Sequence, residues 1–243
     1  MQPEEIKSSQ RKKEVELPVI KVIGFDWDGT LVDSMVVKSK AFTDAVVKFY
    51  PQIVNHKSGI AITYIRSRGN PRVYQLGLIQ EKFNLAPLRK KTFEEWSALF
   101  TSFYIDMEIP LFADTEKTLD QLRKRGYKLF LCSSVPQAYL DKTLQHYPIR
   151  SYFEYILGLS AGGKFRKGLP HLTYISKKLN TPLEKIAFVG DAGDDVKGAN
   201  EAGCFSVGKM DGRSPTAKDE IERSDPKLTI NSLEEILGYF QKA

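Results

Sequence analysis

Long hydrophobic runs are missing from this 243-residue chain. No stretch comes near the roughly 20 apolar residues that span a bilayer, so no membrane partner is expected. The opening, MQPEEIKSSQRKKEVE, has no apolar segment of the secretory kind, which points to a cytoplasmic protein with a flexible polar tail at 1–17. Cysteine is scarce. Cys132 and Cys204 each sit in an apolar, strand-like run where a thiol acts as a small core residue, and neither a disulfide nor a zinc site is expected. There is no internal repeat, no low-complexity segment and no zinc-finger or RNA-recognition signature. The net charge of +6 is scattered along the chain, so it suits the attraction of small anionic substrates better than a nucleic-acid footprint.

What the chain does have is a 42% apolar share, enough for a proper core, arranged as strands alternating with helices. Val19–Ser34, VIKVIGFDWDGTLVDS, reads as a strand covered on both faces that runs into Asp26, Asp28 and a Gly-Thr turn. An ordinary Asp-Gly turn is the competing reading. Val37, Ala41, Ala45 and Phe49 mark a helix that stops at Pro51, and Ser58–Pro71 reads as an arginine-rich loop. Val73, Leu76, Ile79 and Phe83 mark the next helix. Thr92 and Glu95 have capping-box spacing ahead of the stripe Phe93, Trp96, Phe100, Phe103 and Met107.

Asp114 or Thr115 caps a further helix that closes at Gly126. Strands are expected at Tyr127–Ser133, Tyr155–Gly158, Ile186–Gly190 and Cys204–Gly208, and helices from Leu169, from Thr181 and over Ser232–Phe240. This alternation predicts an α/β fold, a doubly wound parallel sheet with an inserted α-helical subdomain. The expected division is a core of 18–37 and 109–243 and a helical insert of 38–108.

Three strand ends then bring polar groups to one sheet edge: Asp26 and Asp28, Ser133 and Ser134, and Asp191 with Asp194 and Asp195. Crowded carboxylates repel one another unless a cation neutralises them, and oxygen-only ligands favour Mg²⁺. Helix capping would account for one of the last three aspartates. A hydroxyl, a lysine and spare carboxylates around a metal suit phosphoryl transfer, in which a carboxylate can itself attack phosphorus.

DWDGT at Asp26–Thr30, LCSS at Leu131–Ser134, a lysine ahead of a helix and GDAGDD at Gly190–Asp195 resemble, in order, the four motifs of the haloacid dehalogenase superfamily. The resemblance covers residues 19 to 210 and implies a Rossmann-like core with a helical cap, in the branch of phosphoglycolate phosphatases and β-phosphoglucomutases. It implies Asp26 as nucleophile and Asp28 as general acid and base, with Ser133 and the Ser134 N–H on the phosphate. Mg²⁺ is implied at Asp26, the Asp28 carbonyl and Asp191, with Asp195 orienting a water or the lysine. Lys164 and Lys167 both fit the lysine, and the spacing to Pro170 favours Lys167.

Members that cleave carbon–halogen or carbon–phosphorus bonds lack the second acid, so Asp28 favours phosphate esters. Arg66, Arg68 and Arg72 are candidates for a second anionic group on the substrate. Arg72 resembles the end of a Gly-x-Ser-Arg loop in the mutases, but Pro71 stands where they have serine. The expected function is a Mg²⁺-dependent phosphatase of a small phosphorylated metabolite, monomeric or homodimeric. A phosphosugar mutase is the alternative, and a non-catalytic binding protein the more distant one.

Overall fold

The computed structural model describes residues 18–67, 70–105, 107–210 and 215–243; the expected tail, Arg68 and Gly69 lie outside these. Among the described residues the strands are β1 (Val22–Phe25), β2 (Lys128–Pro136), β3 (Phe153–Leu159), β4 (Ile186–Gly190), β5 (Phe205–Lys209) and β6 (Leu228–Ile230). They form one sheet in the order β3-β2-β1-β4-β5-β6, every pair parallel. The helices are α1 (Met35–Phe49), α2 (Lys57–Arg66), α3 (Arg72–Lys82), α4 (Lys90–Ser102), α5 (Thr115–Lys124), α6 (Gln137–Leu144), α7 (Leu169–Lys178), α8 (Gly193–Glu201), α9 (Pro215–Arg223) and α10 (Ile236–Tyr239).

Alternate residues of each central strand face opposite sides, and both sides are covered. Ile23, Phe25, Leu129, Leu131, Ala187 and Val189 share one apolar core with Leu119 and Leu122 of α5 and Leu140 and Leu144 of α6. Val22, Phe130, Cys132, Ile186 and Phe188 share the other with Leu172 and Ile175 of α7 and Ala199 of α8. A strand apolar on both faces reads as a continuous hydrophobic run, the pattern of a doubly wound parallel sheet. Gly24 makes this packing possible on β1, since a Cβ there would lie inside the Phe130 ring.

Helices α1 to α4 build a third core. Phe42 of α1, Tyr64 of α2, Leu76 and Ile79 of α3, and Trp96 and Phe100 of α4 meet in it, with Trp96 and Phe100 both edge-on to Phe42 at 5.5 Å. Two short segments connect this layer to the sheet, and they run side by side. Val32 pairs antiparallel with Leu111, the Asp33 N–H donates to the Pro110 carbonyl at 2.8 Å, and the Phe112 N–H donates to the Leu31 carbonyl at 3.1 Å.

Several local expectations are corrected. The first strand begins at Val22, because Val19 is 65% exposed and lies outside the ladder with β2. The expected loop at 58–71 is mostly α2. Ile60 and Tyr64, four apart, seat it on the helical core, while Thr63 and Ser67 return their hydroxyls to carbonyls four residues back and so tolerate the helix.

Helix α4 starts at Lys90 after an extended Arg89, so Thr92 lies inside it and caps nothing. Its apolar stripe ends at Phe100; Phe103 and Met107 follow the helix and are exposed. Asp114 accepts from the Glu234 N–H and Thr115 donates to the Leu31 carbonyl, so neither side chain caps α5. After Thr181 there is only a 3₁₀ turn, Leu183–Lys185, because β4 begins at once. The closing helix shrinks to a 3₁₀ turn followed by the single turn of α10.

Candidate active site

The strand order reverses between β1 and β4, and in such sheets ligands bind beyond the carboxyl ends of the strands at that point. Asp26 leaves β1 there, its N–H donating to the Val189 carbonyl of β4 at 2.9 Å. Trp27 lies in a bend after the strand and is buried in the core, edge-on to Tyr147 at 5.0 Å, while both aspartates line the crevice. Then the chain folds back, with the Leu31 N–H on the Trp27 carbonyl at 3.0 Å. Gly29 carries a φ of 81°, and a Cβ at this position would strike the Asp191 carboxylate. Gly190 likewise leaves room for the Asp195 carboxylate.

Asp26, Asp191 and Asp195 are all buried, and each offers an oxygen within 4.8 Å of the others. Lys167 reaches into this cluster from the loop before α7. Its Nζ lies 2.7 Å from Asp26 Oδ1 and 2.7 Å from Asp195 Oδ1. Burial raises the Asp26 pKa well above the usual carboxylate range; Lys167 opposes that, and Asp195 and Asp191 add to it. Burial alone would lower the Lys167 pKa, but Asp195 and Asp26 outweigh it and hold the ammonium charged. Three buried carboxylates against one ammonium leave net negative charge in an all-oxygen donor set, which fits a hard divalent cation.

Of the two candidate lysines, the structure brings Lys167 to Asp26, while Lys164 is exposed. Asp195 is the second anchor of that lysine. Asp194 points outward, with a side chain 79% exposed. Ser133 is buried, its Oγ accepting from the Val135 N–H at 3.1 Å, and Ser134 is exposed beside it. Asp26, Asp28, Ser133, Ser134, Lys167, Asp191 and Asp195 all line one cavity of about 350 Å³.

The Asp28 carboxylate is outside the three-aspartate cluster. It is bonded to Lys38 on the first turn of α1, Oδ2 to Nζ 2.6 Å. Lys38 also lies over the Tyr104 ring, 5.0 Å from its centroid. Burial by itself would lower the Lys38 pKa, and Asp28 more than reverses this, raising it above the usual lysine range.

Arg72 lines the same cavity and is braced by α4: Nη1 donates to the Ser97 carbonyl, Ser97 Oγ and Thr101 Oγ1, Nη2 donates to the Tyr104 hydroxyl, and the guanidinium lies over Phe100.

Lys38 and Lys209 are site residues that the motif reading passed over. Lys209 is buried at the end of β5, donates to the Gly29 carbonyl at 3.0 Å and lies over the Phe112 ring, so it braces the aspartate turn from behind. A signal for Lys38 was present: it falls four residues before the buried Phe42, a charge on the apolar face of its helix.

A parallel-sheet crevice with carboxylates, a shared lysine and a buried serine defines an α/β enzyme that works on phosphate esters. The chain belongs to the haloacid dehalogenase-like hydrolase family, whose model matches residues 20–203. It is 27% identical over 224 residues to a phosphoglycolate phosphatase of Vibrio parahaemolyticus, covering 90% of this chain and 95% of the relative. A phosphoglycolate phosphatase of Pectobacterium atrosepticum is 28% identical over 228 residues, covering 91% and 93%. The fold matches that of a haloacid dehalogenase-like hydrolase from Streptococcus pneumoniae with a TM-score of 0.75 at 22% identity, over 92% of this chain and 99% of the other.

Proposed function

We infer that the protein is a divalent-metal-dependent phosphatase acting on a small phosphorylated acid through an aspartyl-phosphate on Asp26. One observation carries the reading: Asp26 sits at the mouth of the β1/β4 crevice with one oxygen held by Lys167, which Asp195 fixes in turn. In this account the other Asp26 oxygen attacks phosphorus, an O–P bond forms and the ester O–P bond breaks. Asp28, two residues on and facing the same cavity, carries a proton in the reacting complex on the oxygen that Lys38 does not hold, and gives it to the departing oxygen. It then takes a proton from the water that hydrolyses the acyl phosphate and regenerates Asp26.

Ser133 Oγ and the Ser134 N–H receive the transferring phosphoryl oxygens. Mg²⁺, held by Asp26, the Asp28 carbonyl and Asp191, would supply positive charge against the phosphate oxygens. Net negative charge among the buried carboxylates supports that assignment.

Residues 38–108 serve as a cap over the crevice. Arg72, Tyr64 and Tyr104 give its wall of the cavity a cationic and hydroxyl lining, which favours a substrate with a carboxylate or second phosphate beside the reacting one. The names of the curated relatives make 2-phosphoglycolate the first such ester to try. A cytoplasmic location without membrane or nucleic-acid partners accompanies this reading; among the described residues no helix is long and apolar enough to cross a membrane.

The test is inorganic phosphate release from a panel of phosphorylated metabolites, with Mg²⁺ and with a chelator. Rapid release from acidic phosphoesters, abolished by chelator and restored by Mg²⁺, is the expected outcome. Activity indifferent to chelation removes the metal assignment, and phosphate retained on an isomerised sugar favours the mutase.

A further inference from the structure

The cavity holds two separate ion-pair systems. Lys167 serves Asp26, just past β1, and Asp195, on the first turn of α8 after β4, both of which belong to the α/β core. Asp28 is served by Lys38, which belongs to α1 and so to the helical layer. Among the described residues Lys38 is the cation bonded to the Asp28 carboxylate, and Lys167 is already shared between two others. The Lys38–Asp28 pair is short at 2.6 Å and largely withdrawn from water, with side chains 16% and 23% exposed. An ion pair so screened is stronger than a surface one, and removing one partner strands the other.

Lys38 is itself fixed. Its ammonium lies over the Tyr104 ring, Tyr104 is buried, and the Tyr104 hydroxyl accepts from Arg72, which α4 holds at three further acceptors. A chain of contacts thus runs from α4 through Arg72 and Tyr104 to Lys38 on α1 and on to Asp28.

We propose that Lys38 is the positioning residue for Asp28, holding this carboxylate in the cavity where the leaving oxygen of a phosphoester on Asp26 departs. The proposal rests on the phosphatase reading, in which Asp28 moves the proton. Lys38 makes and breaks no bond to the substrate; it acts by fixing the group that does. Its loss therefore falls on the step that needs a proton, and falls hardest on esters whose leaving group is a strong base.

The test compares wild type, Lys38→Met and Lys38→Arg on 2-phosphoglycolate, an alkyl ester, and on p-nitrophenyl phosphate, whose leaving group departs without a proton. In Lys38→Met, kcat on the alkyl ester is expected to fall about 100-fold and on the aryl ester less than about 5-fold, with KM nearly unchanged. Lys38→Arg should recover part of the alkyl-ester loss. Equal losses on both esters, or a loss confined to KM, overturn the proposal, since they signal general damage or substrate binding instead.

A second measurement is independent of activity. In crystal structures of wild type and Lys38→Met, the Asp28 carboxylate should change rotamer while the Asp26–Lys167–Asp195 contacts stay as they are. Asp28 unmoved in the variant overturns the proposal. If the wild type hydrolyses neither ester, the substrate reading fails by itself, and the crystallographic comparison still decides the role of Lys38.

Discussion

Lys167 and Lys38 line the same cavity, each bonded to aspartate within 2.7 Å, yet they belong to different parts of the molecule. Lys167 projects from a loop of the α/β core and joins carboxylates that follow β1 and β4. Lys38 projects from the helical layer, whose apolar core of Phe42, Tyr64, Trp96 and Phe100 is separate from the two cores of the sheet. The sheet side concentrates negative charge, and the helical side presents Lys38, Arg72 and two tyrosines. Under the proposed function this is a division of labour, with the sheet edge holding the phosphoryl group and a cation and the helical layer choosing the rest of the substrate and aiming Asp28.

Three substitutions sharpen or break that division. The largest effect is expected for Asp26→Asn on the sheet side, which should cut kcat for phosphate release by at least about 10³-fold while leaving the unfolding midpoint nearly unchanged. A variant with wild-type turnover would remove Asp26 as the attacking group and with it the contrast between the two sides.

Next comes Trp96→Ala, deep in the helical core, where loss of the largest fully buried side chain should cost about 3–5 kcal/mol. Hydrogen exchange should locate the loss in amides of α1–α4, with those of β1 and β4 changing less; uniform deprotection would mean that the cores unfold as one.

Smallest is Arg72→Ala. A charged hydrogen bond to a second substrate anion predicts a loss of about 10-fold in kcat/KM on an acidic ester, carried by KM, and almost none on p-nitrophenyl phosphate. Losses alike on both esters would instead make Arg72 a brace between α3 and α4 and nothing more.

Legibility in the sequence follows the same line. Asp26, Asp28, Ser133 and Asp191 follow continuous apolar runs of strands, so a strand pattern followed by polar residues locates them, and Asp195 comes four residues on, in the first turn of α8. Lys167 was one of two candidates, because a loop lysine has no periodic signal and its partner is 141 positions away.

Helix α2 was hidden by Gly59, Thr63 and Ser67, residues that favour turns until tertiary burial of Ile60 and Tyr64 decides otherwise. The capping box at Thr92 was a false signal, since a spacing of three does not say whether a helix is already under way. Short elements such as β6 and α9 escape the pattern, because the three residues LTI and nine mostly polar residues carry too little periodicity.

Because Val32 and Leu111 run side by side, the polypeptide leaves the sheet and comes back to it at a single point. The sheet is therefore indifferent to how long the excursion is. Any segment whose ends meet at the roughly 5 Å spacing of antiparallel neighbours fits the same socket, and loop-closure entropy penalises added length only weakly. The helical layer is in this sense a detachable cartridge. Under the proposed function, exchanging it by recombination or design is expected to redirect the enzyme toward another ester, provided the replacement carries its own cation for Asp28.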